Sequence, residues 1–322
     1  LGHQPAMTYL PQITLRILTG SITISLAACV SYWVLSLISP SHTATLSLGQ
    51  YLNNLLHADF GRSQFYHLPN LQVIVEKLPT TFELVIITSL IVALFALPLG
   101  LYTAIAPRQK LARGLMAFSL LGISLPVFLT GSLMVSLFAV ELNWLPAFGR
   151  GDLVWFGLVW FGSWSSGLFT ASGWQHIVMP ATALSLTLLA LFLRLIRAEL
   201  IQVMHSNPVR LAQAMGITPW RIWLRYGLRN ATLPMITMAS LQFGTLMAHT
   251  LVVETLFQWP GVGSLFMQGI IRGDGTLIAA YLVLVSIMFL LFNSLTDLAY
   301  GLFNPHLAPG PQQTQKIQQH TP

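Results

Sequence analysis

Charged side chains are scarce in this chain. Aspartate, glutamate, lysine and arginine together make up 7% of the 322 residues, whereas hydrophobic residues make up 54%. A soluble globular domain carries about 25% charged residues. Because so few charges cannot solvate the surface of a globular protein, the sequence predicts a protein that is embedded in a lipid bilayer.

The residue patterns of catalytic and metal sites are also missing. The one cysteine, Cys29, lies in the first apolar run, so no disulfide can form within the chain. The nine histidines are scattered without helical metal-ligand spacing. None of the three lysines stands in a phosphate-binding loop, so any ATP must be hydrolysed by another chain. We therefore expect no enzyme activity, no metal and no cofactor.

Six apolar runs can cross a bilayer, which takes about 20 residues each. The sequence predicts an all-α membrane protein whose transmembrane domain covers 17–305, between an N-terminal segment, 1–16, and a disordered tail, 306–322. The first six residues precede the first methionine and are set aside. A shorter apolar stretch, 153–161, is expected to lie in the membrane interface. The spans are expected at about 18–38, 82–106, 115–140, 177–195, 233–257 and 276–303.

The basic residues indicate how the spans are oriented. Eleven of the fifteen lysines and arginines fall on the side of the two termini. Since cytoplasmic loops carry the excess of basic residues, we expect both termini and the loop at about 206–230 to be cytoplasmic. A net charge of +6 distributed over loops in this way indicates membrane topology and no nucleic-acid partner.

The loop between the fourth and fifth spans is basic and contains helix-start and helix-stop residues. We expect two short helices, 208–215 and 219–229, with Asn207 as the first cap and Gly216 as the hinge. The small residues Ala212 and Ala214 would keep the first helix thin, so that a partner can approach its backbone. By spacing alone, the loop also fits a basic segment that touches anionic headgroups.

This loop resembles the coupling helix of ABC importer permeases, and in particular the dipeptide/oligopeptide/nickel branch. The resemblance is carried by Arg210-x-Ala212-x-Ala214-x-Gly216, and then by Arg225 and Leu228-Arg229-Asn230-Ala231. It implies that the loop inserts into a cleft on an ATPase subunit. Pro208, Gln213 and Met215 depart from the family pattern. The implied contact residues are Arg210, Ala212, Ala214, Gly216, Arg225 and Arg229.

A second string, Glu254-Thr-Leu-Phe-Gln-Trp-Pro-Gly-Val-Gly263, resembles a motif of the same family on the external side. It implies an external gate or scaffold formed by Glu254, Trp259, Pro260, Gly261 and Gly263. The string would lead into a short external helix that ends near 272–274. Alternatively, Phe257 and Trp259 are interfacial anchors. Glu83 and Glu254 lie near the outer ends of spans, where snorkelling could explain them.

Other polar residues are open to two interpretations. Asp59-x-Gly61-x-Ser63 and the stretch 78–84 resemble family scaffold on the external side. Gln242 and His249 share one face of the fifth span and either line a pathway or pack against other helices. Asn293-x3-Asp297-x2-Tyr300, followed by Asn304-Pro305, resembles the closing segment of the family, where an interhelical hydrogen bond is favoured over a proton relay.

The resemblance implies a permease subunit with the type I fold, in a bacterial inner membrane, which opens alternately to the two sides. A second permease, as a heterodimer, two ATPase subunits and an external solute-binding protein would complete the importer. Short peptides are the default substrate. The short first external loop, 39–77, resembles Sap-type permeases, which keeps cationic peptides and polyamines open, besides nickel chelates and haem. The alternative function is a secondary transporter driven by an ion or proton gradient, which would need charges at mid-membrane.

Overall fold

The computed structural model describes residues 10–39, 46–159 and 162–303. The expected N-terminal residues before Leu10, the tail and Asn304-Pro305 lie outside the described residues. The helices are α1 (Leu10–Ile38), α2 (Leu48–Leu56), α3 (Asn70–Ile105), α4 (Lys110–Ser124), α5 (Val127–Met134), α6 (Ala171–Met204), α7 (Asn207–Ala214), α8 (Pro219–Ile222), α9 (Arg229–Leu256), α10 (Val262–Arg272) and α11 (Gly275–Phe303).

Five of these helices are long and apolar enough to cross a membrane: α1, α3, α6, α9 and α11. A sixth span results if α4 and α5 are counted together with the π-helical segment Val135–Glu141 that follows α5. The architecture is therefore the all-α membrane fold that the sequence predicts.

The third expected span, 115–140, is not one straight helix. Helix α4 and the segment from Val127 to Glu141 meet at an angle of 107°. Pro126 stands at the break, and the backbone of Leu125 is extended there. Proline has no N–H to continue the helical hydrogen bonds, and it disfavours the helical conformation in the residue before it. A count of apolar residues did not reveal this change of direction.

Helix α3 begins at Asn70 instead of near 82, because its polar first turns still have an apolar face to bury. Val73 and Ile74 are buried against Val262 and Leu265 of α10 and Leu277 of α11. Gln72 and Glu76 on the opposite face are exposed. Helix α3 therefore starts with amphipathic turns, which bury one face, before its apolar run begins.

The connection 142–170 contains the two β-strands found among the described residues. Strands β1 (Val154–Val159) and β2 (Gly162–Ser166) pair antiparallel in a hairpin. The stretch 153–161, which is expected to lie in the membrane interface, thus includes strand β1, and its place in the interface stays a prediction. The run is rich in valine, tryptophan and phenylalanine, which favour strands, and it is too short to form a span.

Small residues let the spans approach one another closely. A Cβ atom at Gly100 of α3 would lie 2.7 Å from Ile196 Cγ2 of α6. A Cβ atom at Gly122 of α4 would lie 2.9 Å from the carbonyl oxygen of Leu186, also in α6. Such contacts are typical of helices that pack within lipid. Helix α6 is thus held at the centre, between α3, α4 and α9.

Candidate functional site

The basic loop folds as a short helix and a glycine turn. Helix α7 covers Asn207–Ala214, and Ser206 occupies the cap position, so the expectation that Asn207 is the cap is wrong by one residue. Gly216 has a φ of +75°, and a Cβ atom there would meet nothing within 4 Å. The hinge at Gly216 is therefore confirmed in its geometry, and its left-handed backbone is the reason for the glycine.

The second short helix is not separate. Thr218 and Pro219 begin α8 as expected, but the chain then passes through a π-helical segment, Trp223–Leu228, directly into α9. No residue of this stretch has a positive φ, and no break precedes Arg229. The loop is thus joined rigidly to the fifth span.

One side of the loop packs against the protein and the other is exposed. Val209, Ala212 and Ile222 are buried together, so Ala212 contacts its own chain and does not thin an outer face. Leu211, Met215 and Trp220 are 62%, 63% and 60% exposed. Ala214, Arg210, Arg225 and Arg229 are exposed as well. The free surface therefore combines large apolar side chains with arginines.

On the other side of the chain, Glu254 is the centre of a buried corner. Its Oε1 accepts a hydrogen bond from the Thr81 hydroxyl at 2.6 Å, and its Oε2 accepts one from the Ser264 amide at 3.0 Å. Glu254 has no exposed surface, so the snorkelling explanation is wrong. The corner joins the end of α9 and the start of α10 to α3.

Trp259 closes the same corner. Its side chain is buried and its Nε1 donates to the carbonyl oxygen of Thr80 at 3.0 Å. The Thr81 hydroxyl accepts from the amide of Val262 at 2.8 Å. Phe257 is buried too, which excludes the interpretation of Phe257 and Trp259 as interfacial anchors. The strings 78–84 and 254–263, both expected on the external side, are therefore packed against each other.

Two positions in the corner are glycine because neighbouring atoms leave no room for a Cβ atom. A Cβ atom at Gly261 would lie 2.2 Å from Glu254 Oε1. A Cβ atom at Gly263 would lie 2.6 Å from the Cα of Leu251. Pro260 precedes them in the turn, and α10 follows and ends at Gly273 with a φ of +68°, as expected.

Glu83 forms a second buried contact that the sequence did not predict. The guanidinium of Arg150 donates to Glu83 Oε2 at 2.6 Å and to the carbonyl oxygen of Ser165 in β2 at 2.5 Å. It also lies 5.8 Å from the ring centre of Trp259. Glu83 is buried and therefore does not snorkel. Arg150 is the lone lysine or arginine between Arg113 and Arg194, and this isolation is the sequence signal that could have identified it as the partner of a buried carboxylate.

The string Asp59-x-Gly61-x-Ser63 packs on the beginning of α11. The Ser63 hydroxyl donates to Asp274 Oδ2 at 2.5 Å, and the other oxygen of Asp274 caps α11 by accepting from the Leu277 amide. The Asp59 carboxylate accepts from the Gly61 amide in a turn whose Gly61 φ is +73°. The loop before α3 is thus tied to the same end of the molecule as the corner.

A cavity of about 320 Å³ lies between α3, α6, α9 and α11. Gln242 lines it and His249 does not, so the two residues do not act together there. Two residues before Gln242, the Ser240 hydroxyl donates to Asn293 Oδ1 of α11 at 2.8 Å, an interhelical bond of the expected kind. The side chains of Asp297 and Tyr300 lie outside what the structure describes.

Comparison with known proteins agrees with this arrangement. The sequence profile described as "Binding-protein-dependent transport system inner membrane component" matches residues 96–309. The chain is 32% identical over 255 residues to the Glutathione transport system permease protein GsiC of Escherichia coli, covering 79% of this chain and 76% of that protein. It is 31% identical over 271 residues to GsiC of Salmonella choleraesuis, covering 84% and 81%.

The profile covers the basic loop and the string 254–263, and each relative is aligned over most of the chain. The family's members are permease subunits without an ATP site of their own. The chain therefore belongs to the binding-protein-dependent inner-membrane components, the permeases of ABC importers, which are not enzymes and function with separate ATPase and binding-protein subunits.

Proposed function

We propose that this chain is the permease subunit of an ATP-driven importer of short peptides, paired with a second permease of different sequence. Two ATPase subunits dock on the cytoplasmic side, one of them at the basic loop. A binding protein delivers the peptide on the external side. The observation that carries the proposal is the exposed surface of the loop, where apolar side chains and arginines lie together on a rigid support.

The composition of this surface supports protein docking over lipid contact. If the loop faced the cytoplasm without a partner, apolar surface would be exposed to water at Leu211, Met215 and Trp220. Tryptophan, methionine and arginine are enriched where proteins bind each other. A purely electrostatic contact with anionic headgroups would need the basic residues and not the apolar ones.

The external corner supports a structural role for Glu254, Trp259, Pro260, Gly261 and Gly263. Their side chains and backbone are used in contacts within the chain, and Glu254 and Trp259 are buried. A substrate could reach neither without a rearrangement of α10. We therefore assign these residues to the external scaffold that holds α3, α9 and α10 together.

The peptide substrate is supported by the relatives, which are named for transport of glutathione, a tripeptide. The test is reconstitution of this chain with its second permease, ATPases and binding protein in proteoliposomes. We expect ATP-dependent accumulation of labelled short peptides. Uptake driven by an imposed ion or proton gradient without ATP would contradict the proposal and favour a secondary transporter.

The proposed orientation is tested by single cysteines in a Cys29→Ser background. Arg108 and Gln64 are both exposed, one after α3 and the other before it. Arg108→Cys should react with an impermeant maleimide from the cytoplasmic side, and Gln64→Cys from the external side. Labelling of both from one side would contradict the proposed topology.

A further inference from the structure

The cavity between α3, α6, α9 and α11 is apolar and carries no charge. Its walls include the rings of Phe192, Phe243 and Phe292, and none of its lining residues is acidic or basic. Phe243 and Phe292 stack with ring centres 3.7 Å apart. Its volume of about 320 Å³ lies at the lower end of the range for small-molecule sites, about 300–1,000 Å³. The cavity thus suits a small apolar group.

The cavity is also open at the surface of the chain. Ser89 and Ala93 of α3 line it and are exposed, so a ligand can enter between α3 and α9. A ligand could therefore reach the rings without separation of the helices.

Three polar side chains line the cavity, and two of them are already bonded. The Ser89 hydroxyl donates to the carbonyl oxygen of Val85, and the Thr232 hydroxyl donates to that of Leu228. The carboxamide of Gln242 has no hydrogen-bond partner among the described residues. Gln242 is half-buried, so its carboxamide is not enclosed by the protein. Gln242 is therefore available to a ligand.

We propose that this cavity binds the apolar side chain of an uncharged short peptide, while the Gln242 carboxamide pairs with a peptide bond of the ligand. A carboxamide has both a donor and an acceptor, as a peptide bond has, so the two groups can satisfy each other. The walls offer no carboxylate to a lysine or arginine side chain, so a cationic peptide would leave its charge unpaired. The inference rests on the proposed function and names the substrate class within it.

The test uses the assembled transporter in proteoliposomes, with its own binding protein, and three labelled probes: alanyl-phenylalanine, alanyl-glycine and alanyl-lysine. Ala239 lines the cavity one turn before Gln242. Ala239→Phe should lower uptake of alanyl-phenylalanine relative to alanyl-glycine by about tenfold, because the added ring occupies the space for the side chain. Gln242→Leu should lower uptake of both, and Gln242→Asn should restore part of it.

The matched controls make the same changes away from the cavity. Ala117 on α4 and Gln202 on α6 are exposed. Ala117→Phe and Gln202→Leu should leave the uptake of all three peptides unchanged. A second measurement avoids the risk that a filled cavity prevents folding. In a Cys29→Ser background, alanyl-phenylalanine should slow maleimide labelling of Ala93→Cys, and alanyl-glycine should slow it less.

The outcomes distinguish a failure of the cavity site from a failure of the proposed function. If the wild type takes up peptides, an unchanged ratio of alanyl-phenylalanine to alanyl-glycine uptake in Ala239→Phe would overturn the cavity site. Absence of protection of Ala93→Cys would overturn it as well. Either result leaves the proposed peptide importer intact. An equal loss of all three peptides in Ala239→Phe would likewise overturn the cavity site, since that pattern is expected if a lipid chain or the second permease fills the cavity. Absence of uptake of any peptide by the wild-type transporter would overturn the proposed function itself, and the cavity site with it.

Discussion

The hydroxyl of Thr81 lies 2.6 Å from the carboxylate of Glu254 and joins two strings that are 173 residues apart. The same hydroxyl accepts from the amide of Val262. Thr81 therefore serves as donor to one group and as acceptor from another through a single oxygen atom, as a hydroxyl can. Two hydrogen bonds of the corner pass through this one hydroxyl.

Replacing this hydroxyl tests the corner. Thr81→Val keeps the shape of the side chain but leaves Glu254 Oε1 and the Val262 amide without a partner. Because unsatisfied buried polar groups cost about 1–3 kcal/mol each, we expect the free energy of unfolding to fall by at least that amount. Thermal or denaturant unfolding in detergent measures the change.

Thr255→Val is the matched control for Thr81→Val. It removes an exposed hydroxyl whose bond is to its own helix, at the carbonyl oxygen of Leu251. Its effect should stay within about 0.5 kcal/mol, as for most surface changes. Equal stability of the two variants would contradict the role given to Thr81.

Gly261 is predicted to tolerate no side chain. In Gly261→Ala the new methyl group would have to occupy the position of the Glu254 carboxylate, 2.2 Å away, so that carboxylate must leave its partners. We expect a loss of stability of about 2 kcal/mol or more and little assembled transporter. Gly114→Ala is the control, since a Cβ atom there meets nothing within 4 Å and alanine favours a helix. Similar yields of assembled complex from both would disprove the prediction.

The buried pair of Glu83 and Arg150 makes a prediction about single and double variants. Arg150→Met leaves the Glu83 charge buried without its cation, which typically costs about 3–5 kcal/mol. Glu83→Met together with Arg150→Met removes both charges and should recover much of that loss. The unfolding free energies of the wild type, the two single variants and the double variant give the coupling between the two residues.

Arg62→Met serves as the control for charge removal, because Arg62 is exposed. It should change stability by less than about 0.5 kcal/mol. A double variant that is less stable than either single variant would show that the contacts of Arg150 with Ser165 and Trp259 matter more than its contact with Glu83.

A substitution at Gly216 is expected to weaken binding of the ATPase subunit without affecting membrane insertion. A β-branched residue at a φ of +75° is strained by about 1–3 kcal/mol, so Gly216→Val should shift the loop away from the docking conformation. The affinity for the ATPase should fall about tenfold, while insertion in the membrane stays normal. Gly216→Asn should retain more affinity, because asparagine tolerates this conformation. Co-purification of the ATPase at matched membrane levels measures the effect.

The choice of further loop variants follows from burial. Leu211→Asp places a charge on the exposed face and should weaken ATPase binding without unfolding the loop. Ala212→Glu would place it among Val209 and Ile222, so its effect would report on the loop's own packing and not on docking. Gly114→Val and a tail variant, Gln312→Ala, should have no effect. Normal ATPase binding and transport in both Gly216→Val and Leu211→Asp would mean that the loop only contacts lipid.

The apolar runs and the local motifs could be predicted from the sequence, and the contacts between distant segments could not. The turn at Gly216 and the helix that ends at Gly273 depend on neighbouring residues, and both are found as expected. Glu83 was expected to snorkel because its cation, Arg150, stands 67 residues away in a connection without a regular pattern. The bend at Pro126 was missed for a different reason, since hydropathy measures the length of a span and not its direction.

The uninterrupted helix α9 has a mechanical consequence. Its 28 residues from Arg229 to Leu256 make a rod about 42 Å long, at about 1.5 Å per residue. One end continues from the loop through the π-helical segment, and the other end carries Glu254. A stiff rod transmits a push or a turn along its whole length at once. Movement of the loop by a few ångströms must therefore either shift the corner by a similar distance or bend α9 at Pro234, the one proline within it.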